Sequence, residues 1–331
     1  MLGSVLTHEE FTMFARVKYP IKLPTSQRIS HRANCGNDPI PENTLAAIRE
    51  AHYQGMKWIE CDVKLTSDNV VIVIHDDTLK RTTNAEGLQA ETPVSEMTYA
   101  EIARFDAGSK YSAKFIGERI PTLIQFLHLI KKLDMGLVLE IKPALGLEKV
   151  TAIKTVEILH QCHFDFSKLL IISFIVECLQ EVKDLNPKLN TGLLLEEWGA
   201  YTSINTGLLK YPDMGIYMRK ENVEDILREL NCTALAANHT ILNSQRIAKI
   251  KEETDTSFVL AWTVNDPQIG LEMYGYGVDA IISDHPERLV LSKPQSICNH
   301  TTFFKSFLIE NRHDPRLRQE YDRQFGLVMR Q

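Results

Sequence analysis

Several features that would mark other classes of protein are scarce in this sequence. Across its 331 residues, no apolar run reaches the roughly 20 residues that a membrane-spanning helix needs. Lysine and arginine form no basic stripe, and the net charge is −6, so nucleic acid is not an expected partner. The first residues lack the basic start and long apolar core of a signal peptide. We therefore expect a cytoplasmic protein without a transmembrane segment.

Paired cysteines are also lacking. The six cysteines are scattered and include no C-x-x-C pair, unlike a zinc site or a disulfide framework. We expect reduced thiols. What is present is an ordinary globular composition, 44% hydrophobic and 24% charged, in a chain long enough to bury one large core.

Short runs rich in Val, Ile and Leu alternate with segments of helical period. The predicted strands are Arg28–His31, Lys57–Val63, Val70–His75, Leu137–Lys142, Lys168–Ser173, Thr191–Glu196, Thr233–Asn238, Ser257–Val264 and Asp279–Ser283. The predicted helices are Pro41–Gln54, Thr122–Lys132, Glu148–Cys162, Val176–Leu185, Glu221–Leu230, Asn243–Glu253 and Pro267–Tyr274. This alternation predicts a parallel sheet covered by helices, and the apolar strands fit a sheet buried on both faces.

One predicted strand breaks the alternation of strands and helices. Only six residues separate Val63 from Val70, and they include the turn signal Thr66-Ser67-Asp68-Asn69. Because a parallel crossover needs about a dozen residues, Lys57–Leu65 and Val70–His75 are predicted to form an antiparallel hairpin. Eight strands remain, which is the number in a (β/α)8 TIM barrel. An open doubly wound sheet is the alternative that periodicity leaves standing.

The extent of the strand–helix alternation divides the chain into three parts. Residues 1–27 are a polar lead-in, residues 28–292 are the predicted barrel, and residues 293–331 are a charged extension with an apolar patch at Phe303–Ile309. Residues 78–119 are a predicted insertion over one barrel mouth, with a short helix at Tyr99–Phe105. We expect the extension to cover a barrel surface or a subunit contact, and a homo-oligomer is left open.

Charged side chains occur inside two of the apolar strands. Glu60 and Asp62 share one face of their strand, because successive side chains alternate. Two carboxylates that point into a barrel are costly unless they bind a cation or form ion pairs. Glu140 and Lys142 likewise share a face, where they either neutralise each other or contact a metal and a phosphate.

Two histidines end other strands. His31 precedes Arg32 at the end of the first strand, and His75 ends the hairpin. If the turn centres near residues 67–69, facing residue numbers sum to about 137, which places His75 beside Asp62. The carboxyl ends of the strands are the face that carries the active site in TIM-barrel enzymes.

The segment from Ile29 to Arg81 contains the motifs His-Arg, PENTL, IECDVKLTSD and VIHDDTLKRTT. Further motifs are Ile120–Leu123, Leu139–Pro143, Ser173-Phe174, Trp262–Asn265 and Asp279–Pro286. Together these motifs strongly resemble those of the glycerophosphodiester phosphodiesterase family. The resemblance covers about residues 28–291 in the right order, and it is closest to the short cytoplasmic bacterial type.

This resemblance implies a TIM barrel that hydrolyses glycerophosphodiesters to glycerol 3-phosphate and an alcohol. The implied roles are metal binding by Glu60, Asp62 and Glu140, acid–base catalysis by His31 and His75, phosphate binding by Arg32 and Lys142, and a glycerol wall at Trp262. Ala33 stands where the family usually has glycine, so we expect a changed backbone shape near the phosphate. A lysophospholipase D-type hydrolase is one alternative, and a non-catalytic binding protein on a decayed barrel is another.

The implied residue types suit this reaction. Three carboxylates offer only hard oxygen ligands, which favours Mg²⁺ or Ca²⁺ over zinc. With a divalent cation and two basic side chains, the site would carry one net positive charge, which matches the single negative charge of a phosphodiester. Two histidines can divide the proton transfers between the nucleophile and the leaving alcohol. Water and the 2-hydroxyl of the glycerol both remain candidate nucleophiles.

Overall fold

Eight parallel strands close into a barrel in the computed structural model, which describes residues 18–23, 28–36, 38–197 and 223–289. The strands are β1 (Arg28–Ser30), β2 (Trp58–Leu65), β3 (Val71–Val73), β4 (Gly136–Ile141), β5 (Leu169–Ser173), β6 (Thr191–Leu195), β7 (Ala234–Asn238), β8 (Phe258–Trp262) and β9 (Ala280–Ser283). All except β3 form the barrel. The β1–β2 pairing, Ser30 with Ile59, closes it. The predicted (β/α)8 barrel is therefore confirmed, and the open sheet is wrong.

Helices follow the barrel strands in the described part of the chain. They are α1 (Leu45–Tyr53), α2 (Gly87–Glu91), α3 (Tyr99–Ile102), α4 (Leu123–Lys132), α5 (Glu148–Gln161), α6 (Val176–Leu185), α7 (Val223–Glu229), α8 (Ser244–Glu253) and α9 (Pro267–Tyr276). Polar N-caps fix several starts. Thr44 accepts the N–H of Ala47, so the first helix begins four residues later than predicted. Asp266 caps a helix whose first residue is Pro267.

The two faces of β2 lie in different environments. Ile59, Cys61 and Val63 pack in an apolar cluster with helix residues such as Phe126. The alternating side chains, including Glu60, therefore point into the barrel interior. Each fully buried aliphatic side chain stabilises the fold by roughly 1.5–3 kcal/mol, so a slip of one residue along β2 would be strongly unfavourable.

The predicted hairpin is present. Strands β2 and β3 pair antiparallel, with Val63 facing Val73. Its register differs by one residue from the prediction, because three residues between Thr66 and Val70 form the turn and centre it on Asp68. The N–H of Ile74 consequently donates to the carbonyl oxygen of Asp62 at 3.0 Å, and His75 lies one residue further along.

Residues 78–119 pack on the hairpin. Leu79, Val94 and Ile102 join Ile72 and Ile74 in a separate apolar cluster. The short helix predicted at Tyr99–Phe105 is present as α3, and it begins with a capping box between Thr98 and Glu101. Helix α2 was not predicted. The insertion therefore supports the hairpin that carries His75.

The described part of the lead-in lies at the end of the barrel where the parallel strands begin. The N–H of Tyr19 donates to Lys188 and that of Lys22 to Ser167, next to the starts of β6 and β5. The extension at residues 293–331, with Phe303–Ile309, lies outside the described residues, and its role stays a prediction. Among the described helices, none has the length and apolar character needed to cross a membrane.

Candidate active site

Three buried carboxylates meet at the carboxyl ends of β2 and β4. Asp62 faces Glu140 across the parallel pair, and Glu60 lies one inward position earlier on β2. One ligand oxygen from each of the three lies within 4.8 Å of the other two. Their exposed fractions are 2% for Glu60, 1% for Asp62 and 7% for Glu140. Such close burial of three acidic groups is costly without a cation.

The carboxylate oxygens are only partly satisfied by hydrogen bonds from the described residues. Asp62 Oδ2 accepts a hydrogen bond of 2.9 Å from Asn43, but the buried Oδ1 has no hydrogen-bond partner within the described ranges. Burial, together with the neighbouring carboxylates, raises the pKa of Glu60 well above its ordinary value. Burial and the charge of Asp62 raise the pKa of Glu140 to about 7, against the opposing effect of Lys142. The residues present therefore fit a hard divalent cation, whose charge would relieve this repulsion.

The turn after β1 brings two groups to this cluster. Arg32 and Ala33 both adopt the left-handed conformation, with φ of 50° and 58°. This conformation aims the backbone N–H of Arg32 at Glu60 Oε2, at 2.8 Å. Ala33 thus keeps a left-handed backbone without the conformational freedom of glycine, at a cost of about 1 kcal/mol.

Each of the two histidines contacts a carboxylate through its Nδ1 atom. His31 Nδ1 lies 2.7 Å from Asp284 Oδ1, and His75 Nδ1 lies 2.8 Å from Asp76 Oδ1. The Nε2 atom of His31 is 3.9 Å from Glu60. A carboxylate at Nδ1 favours the tautomer with the proton on Nδ1, which leaves Nε2 available for proton transfer.

Lys142 connects β4 to the hairpin. Its Nζ lies 2.6 Å from His75 Nε2. Burial lowers the pKa of His75, so the ammonium can donate to a neutral imidazole. The buried Lys64 donates to the carbonyl oxygen of Lys142 at 3.2 Å and to Asp77 at 2.5 Å. The ends of β2, β3 and β4 are thereby tied together.

A cavity of about 270 Å³ opens beside these groups. Its polar side is lined by His31, Arg32, Glu60, His75, Glu140 and Lys142, and its apolar side by Ile172, Phe174, Leu194, Trp262 and Ile282. The indole N–H of Trp262 donates to the carbonyl oxygen of Ala236 at 3.0 Å, and its ring meets Phe174 edge-on at 5.6 Å. Trp262 therefore forms a fixed part of the apolar wall.

The structure brings the predicted site residues together. Seven line the cavity, and the eighth, Asp62, lies buried within the carboxylate cluster. The residues that sequence reasoning missed are their supports, namely Asp284, Asp76, Asn43, Glu42, Arg81, Lys64 and Asn265, whose amide donates to Asp284. Asp76 and Asn43 stood inside recognised motifs, so adjacency could have indicated them. Asp284 also stood inside a matched segment, Asp279–Pro286, but it is 253 residues from His31, and nothing local indicated that the two side chains meet.

Comparison with known proteins agrees with this geometry. Residues 31–288 match the model of the glycerophosphoryl diester phosphodiesterase family. A glycerophosphodiester phosphodiesterase of Caldanaerobacter subterraneus subsp. tengcongensis is 33% identical over 264 residues, which cover 79% of this chain and 95% of the relative.

Two solved structures are similar as well. A phosphodiesterase of Oleispira antarctica, in complex with the product sn-glycerol-3-phosphate, is 34% identical with a TM-score of 0.65, covering 81% of this chain and 95% of that one. A glycerophosphodiester phosphodiesterase of Parabacteroides distasonis is 25% identical with a TM-score of 0.60, covering 79% and 93%. The chain therefore belongs to the glycerophosphoryl diester phosphodiesterase family, and it is an enzyme of that activity.

Proposed function

We propose that this enzyme hydrolyses glycerophosphodiesters to glycerol 3-phosphate and an alcohol, with one divalent cation held by Glu60, Asp62 and Glu140. The observation that carries the proposal is the buried carboxylate cluster, in which Asp62 Oδ1 meets no donor from the described residues. The product in the Oleispira antarctica structure supports glycerol 3-phosphate as the product here. Oxygen ligands alone favour Mg²⁺ or Ca²⁺.

Phosphate binding falls to Arg32 and Lys142. Both line the cavity on its polar side, next to the carboxylates. A bound divalent cation would supply Lewis-acid stabilisation of the negative charge on the phosphoryl oxygens. The guanidinium of Arg32 suits bidentate phosphate contact, and the ammonium of Lys142 acts as a point charge. These two cations attract the anionic diester and stabilise the charge that develops on its oxygens.

Proton transfer falls to His31 and His75. Both imidazoles line the cavity while a carboxylate holds Nδ1 of each. One imidazole removes a proton from the nucleophile, and the other donates a proton to the leaving alcohol oxygen. The carboxylates of Asp284 and Asp76 orient the rings and stabilise the imidazolium that forms on each. When Nε2 of His75 takes up a proton, the ammonium of Lys142 is repelled from it and is free to contact phosphate.

The apolar side of the cavity positions the carbon skeleton of the substrate. Trp262 and Phe174 present ring surface there, and Ile172 and Leu194 extend it. We propose that Trp262 packs against the glycerol carbons. Holding the diester between this wall and the two cations restricts it to orientations in which the phosphorus faces the histidines.

The test is product analysis on a panel of glycerophosphodiesters with added Mg²⁺ or Ca²⁺. We expect glycerol 3-phosphate and the free alcohol, no turnover after exhaustive dialysis against EDTA, and recovery when metal is returned. Asp62→Asn should be inactive, whereas Asp184→Asn, an exposed carboxylate on α6, should behave as wild type. Full activity after dialysis would refute the metal requirement. Preference for lysophosphatidylcholine over glycerophosphocholine would establish the lysophospholipase D alternative.

A further inference from the structure

Arg81, at the start of the insertion, holds two carboxylates at once. Its Nε and Nη2 atoms donate to Oδ2 and Oδ1 of Asp76, and its Nη1 and Nη2 atoms donate to Oε2 and Oε1 of Glu42. All four hydrogen bonds are 2.7 Å long. Such a double fork uses the planar geometry of guanidinium, which an ammonium cannot reproduce.

The same two carboxylates hold residues of the cavity. Asp76 Oδ1, which accepts from Arg81 Nη2, also contacts His75 Nδ1 at 2.8 Å. Glu42 Oε1, which accepts from the same Nη2, also accepts from Arg32 Nη1 at 3.0 Å. One nitrogen of Arg81 therefore bridges the oxygen that orients the imidazole and the oxygen that orients the phosphate-binding guanidinium.

Burial makes this bridge hard to replace with water. The side chain of Glu42 is 9% exposed and that of Asp76 is 24% exposed. Without Arg81, the two carboxylates would repel each other, and each would be free to rotate away from the residue that it holds. Arg81 itself is half-exposed and does not line the cavity, so it acts through these neighbours.

We propose that Arg81 is a positioning residue that fixes His75 and Arg32 relative to each other, and so couples proton transfer to phosphate binding. The inference rests on the proposed roles of His75 and Arg32. It assigns the insertion a part in the reaction, because Arg81 reaches the site from the first residues of that segment. The contact with Asp76 acts on the turnover step, and the contact with Glu42 acts on substrate binding.

The experiment measures kcat and KM for glycerophosphocholine in Arg81→Ala, Arg81→Lys, Asp76→Asn and Glu42→Gln. Asp76→Asn should mainly lower kcat, and Glu42→Gln should mainly raise KM. Arg81→Ala should do both, with kcat lower by about 10–100-fold, the scale of a misplacement near 1 Å. Arg81→Lys should restore thermal stability but not kcat, because it keeps the charge and loses the fork.

A matched control and a combined variant separate this role from a purely structural one. Lys80→Ala removes the neighbouring ion pair with Glu91, which lies outside the bridge, and should behave as wild type. In the Asp76→Asn/Glu42→Gln background, adding Arg81→Ala should lower kcat less than about twofold, because residues that act together are not additive. Wild-type kinetics in Arg81→Ala, full rescue by lysine, or additive losses would each overturn the proposal. His75→Ala and Arg32→Ala test the underlying roles: if they keep full activity, the proposed function fails first.

Discussion

Replacing Glu140 with glutamine should stabilise the metal-free enzyme while removing its response to metal. Glu140 is buried beside two other carboxylates, and its pKa rises to about 7 from an ordinary value of 4.5. The folded protein therefore holds a proton that the unfolded chain has released between these two pH values. The free energy of unfolding must fall as the pH rises through this window.

The size of the effect follows from the pKa. A rise from 4.5 to about 7 corresponds to a loss on the order of 3 kcal/mol at pH 8. Glutamine carries no charge, and its amide can donate to the neighbouring Asp62, so metal-free Glu140→Gln should exceed wild type by up to this amount. For a barrel of this size the difference corresponds to roughly 5 °C in Tm. Below about pH 4.5 the two proteins should converge.

Metal in sufficient excess should reverse the order. At a concentration about 1,000-fold above Kd, a bound cation would stabilise wild type by about 4.1 kcal/mol, more than the advantage of the metal-free variant, whereas the variant has lost a ligand. The assay is thermal and urea unfolding at several pH values, with EDTA or with Mg²⁺ or Ca²⁺. Glu157→Gln, on the exposed face of α5, is the matched control and should follow wild type throughout. If Glu140→Gln lowers stability equally at every pH, the reasoning about carboxylate repulsion is refuted.

Three further outcomes are expected. His31→Ala and His75→Ala should each lower kcat by roughly 10²–10⁴-fold with an unchanged circular dichroism spectrum, and near wild-type turnover in either would remove that residue from the mechanism. Burial lowers the pKa of Lys183 to about 8, whereas the unfolded chain keeps that proton up to about pH 10.5. Between these pH values, the free energy of unfolding of wild type should therefore rise by about 1–3 kcal/mol relative to that of Lys183→Met in urea titrations. A difference that does not change with pH would contradict this. A Cβ added at Gly136 would lie 2.3 Å from the Trp58 ring, so Gly136→Ala should cost about 1–3 kcal/mol of unfolding free energy, and an unchanged urea midpoint would show that the ring can move.

The fold was predictable because its signals are local. Apolar runs and helical periods lie within single segments of the chain, and the short spacing between Val63 and Val70 excluded a parallel crossover. The register of the hairpin was missed by one residue, because it depends on how many residues the turn uses. That number is set by the closing pair of Thr66 and Val70, which sequence alone does not specify.

The site was predictable only for residues inside short motifs. Glu60, Asp62 and His75 stand in one continuous stretch, and strand alternation relates the first two to each other. Their supports come from distant positions, as Asp284 does for His31. Arg81, Glu42 and Asp76 also stand inside quoted motifs, but their mutual contact was hidden, because the two carboxylates are 34 positions apart in sequence and meet only after the barrel has closed.

The division of the cavity into two sides has a consequence for how such enzymes diverge. The ionisable groups come from the strands and loops of β1 to β4, while the apolar surface comes from β5, β6, β8 and β9. Changes at Ile172, Phe174 or Leu194 can therefore reshape the space for the carbon skeleton of the substrate without altering the charged side of the cavity. A combinatorial library at these three positions would vary the substrate range while the ionisable residues of the cavity stay the same. Evolution of new specificities in this barrel would then proceed through one arc of the wall while the opposite arc is kept.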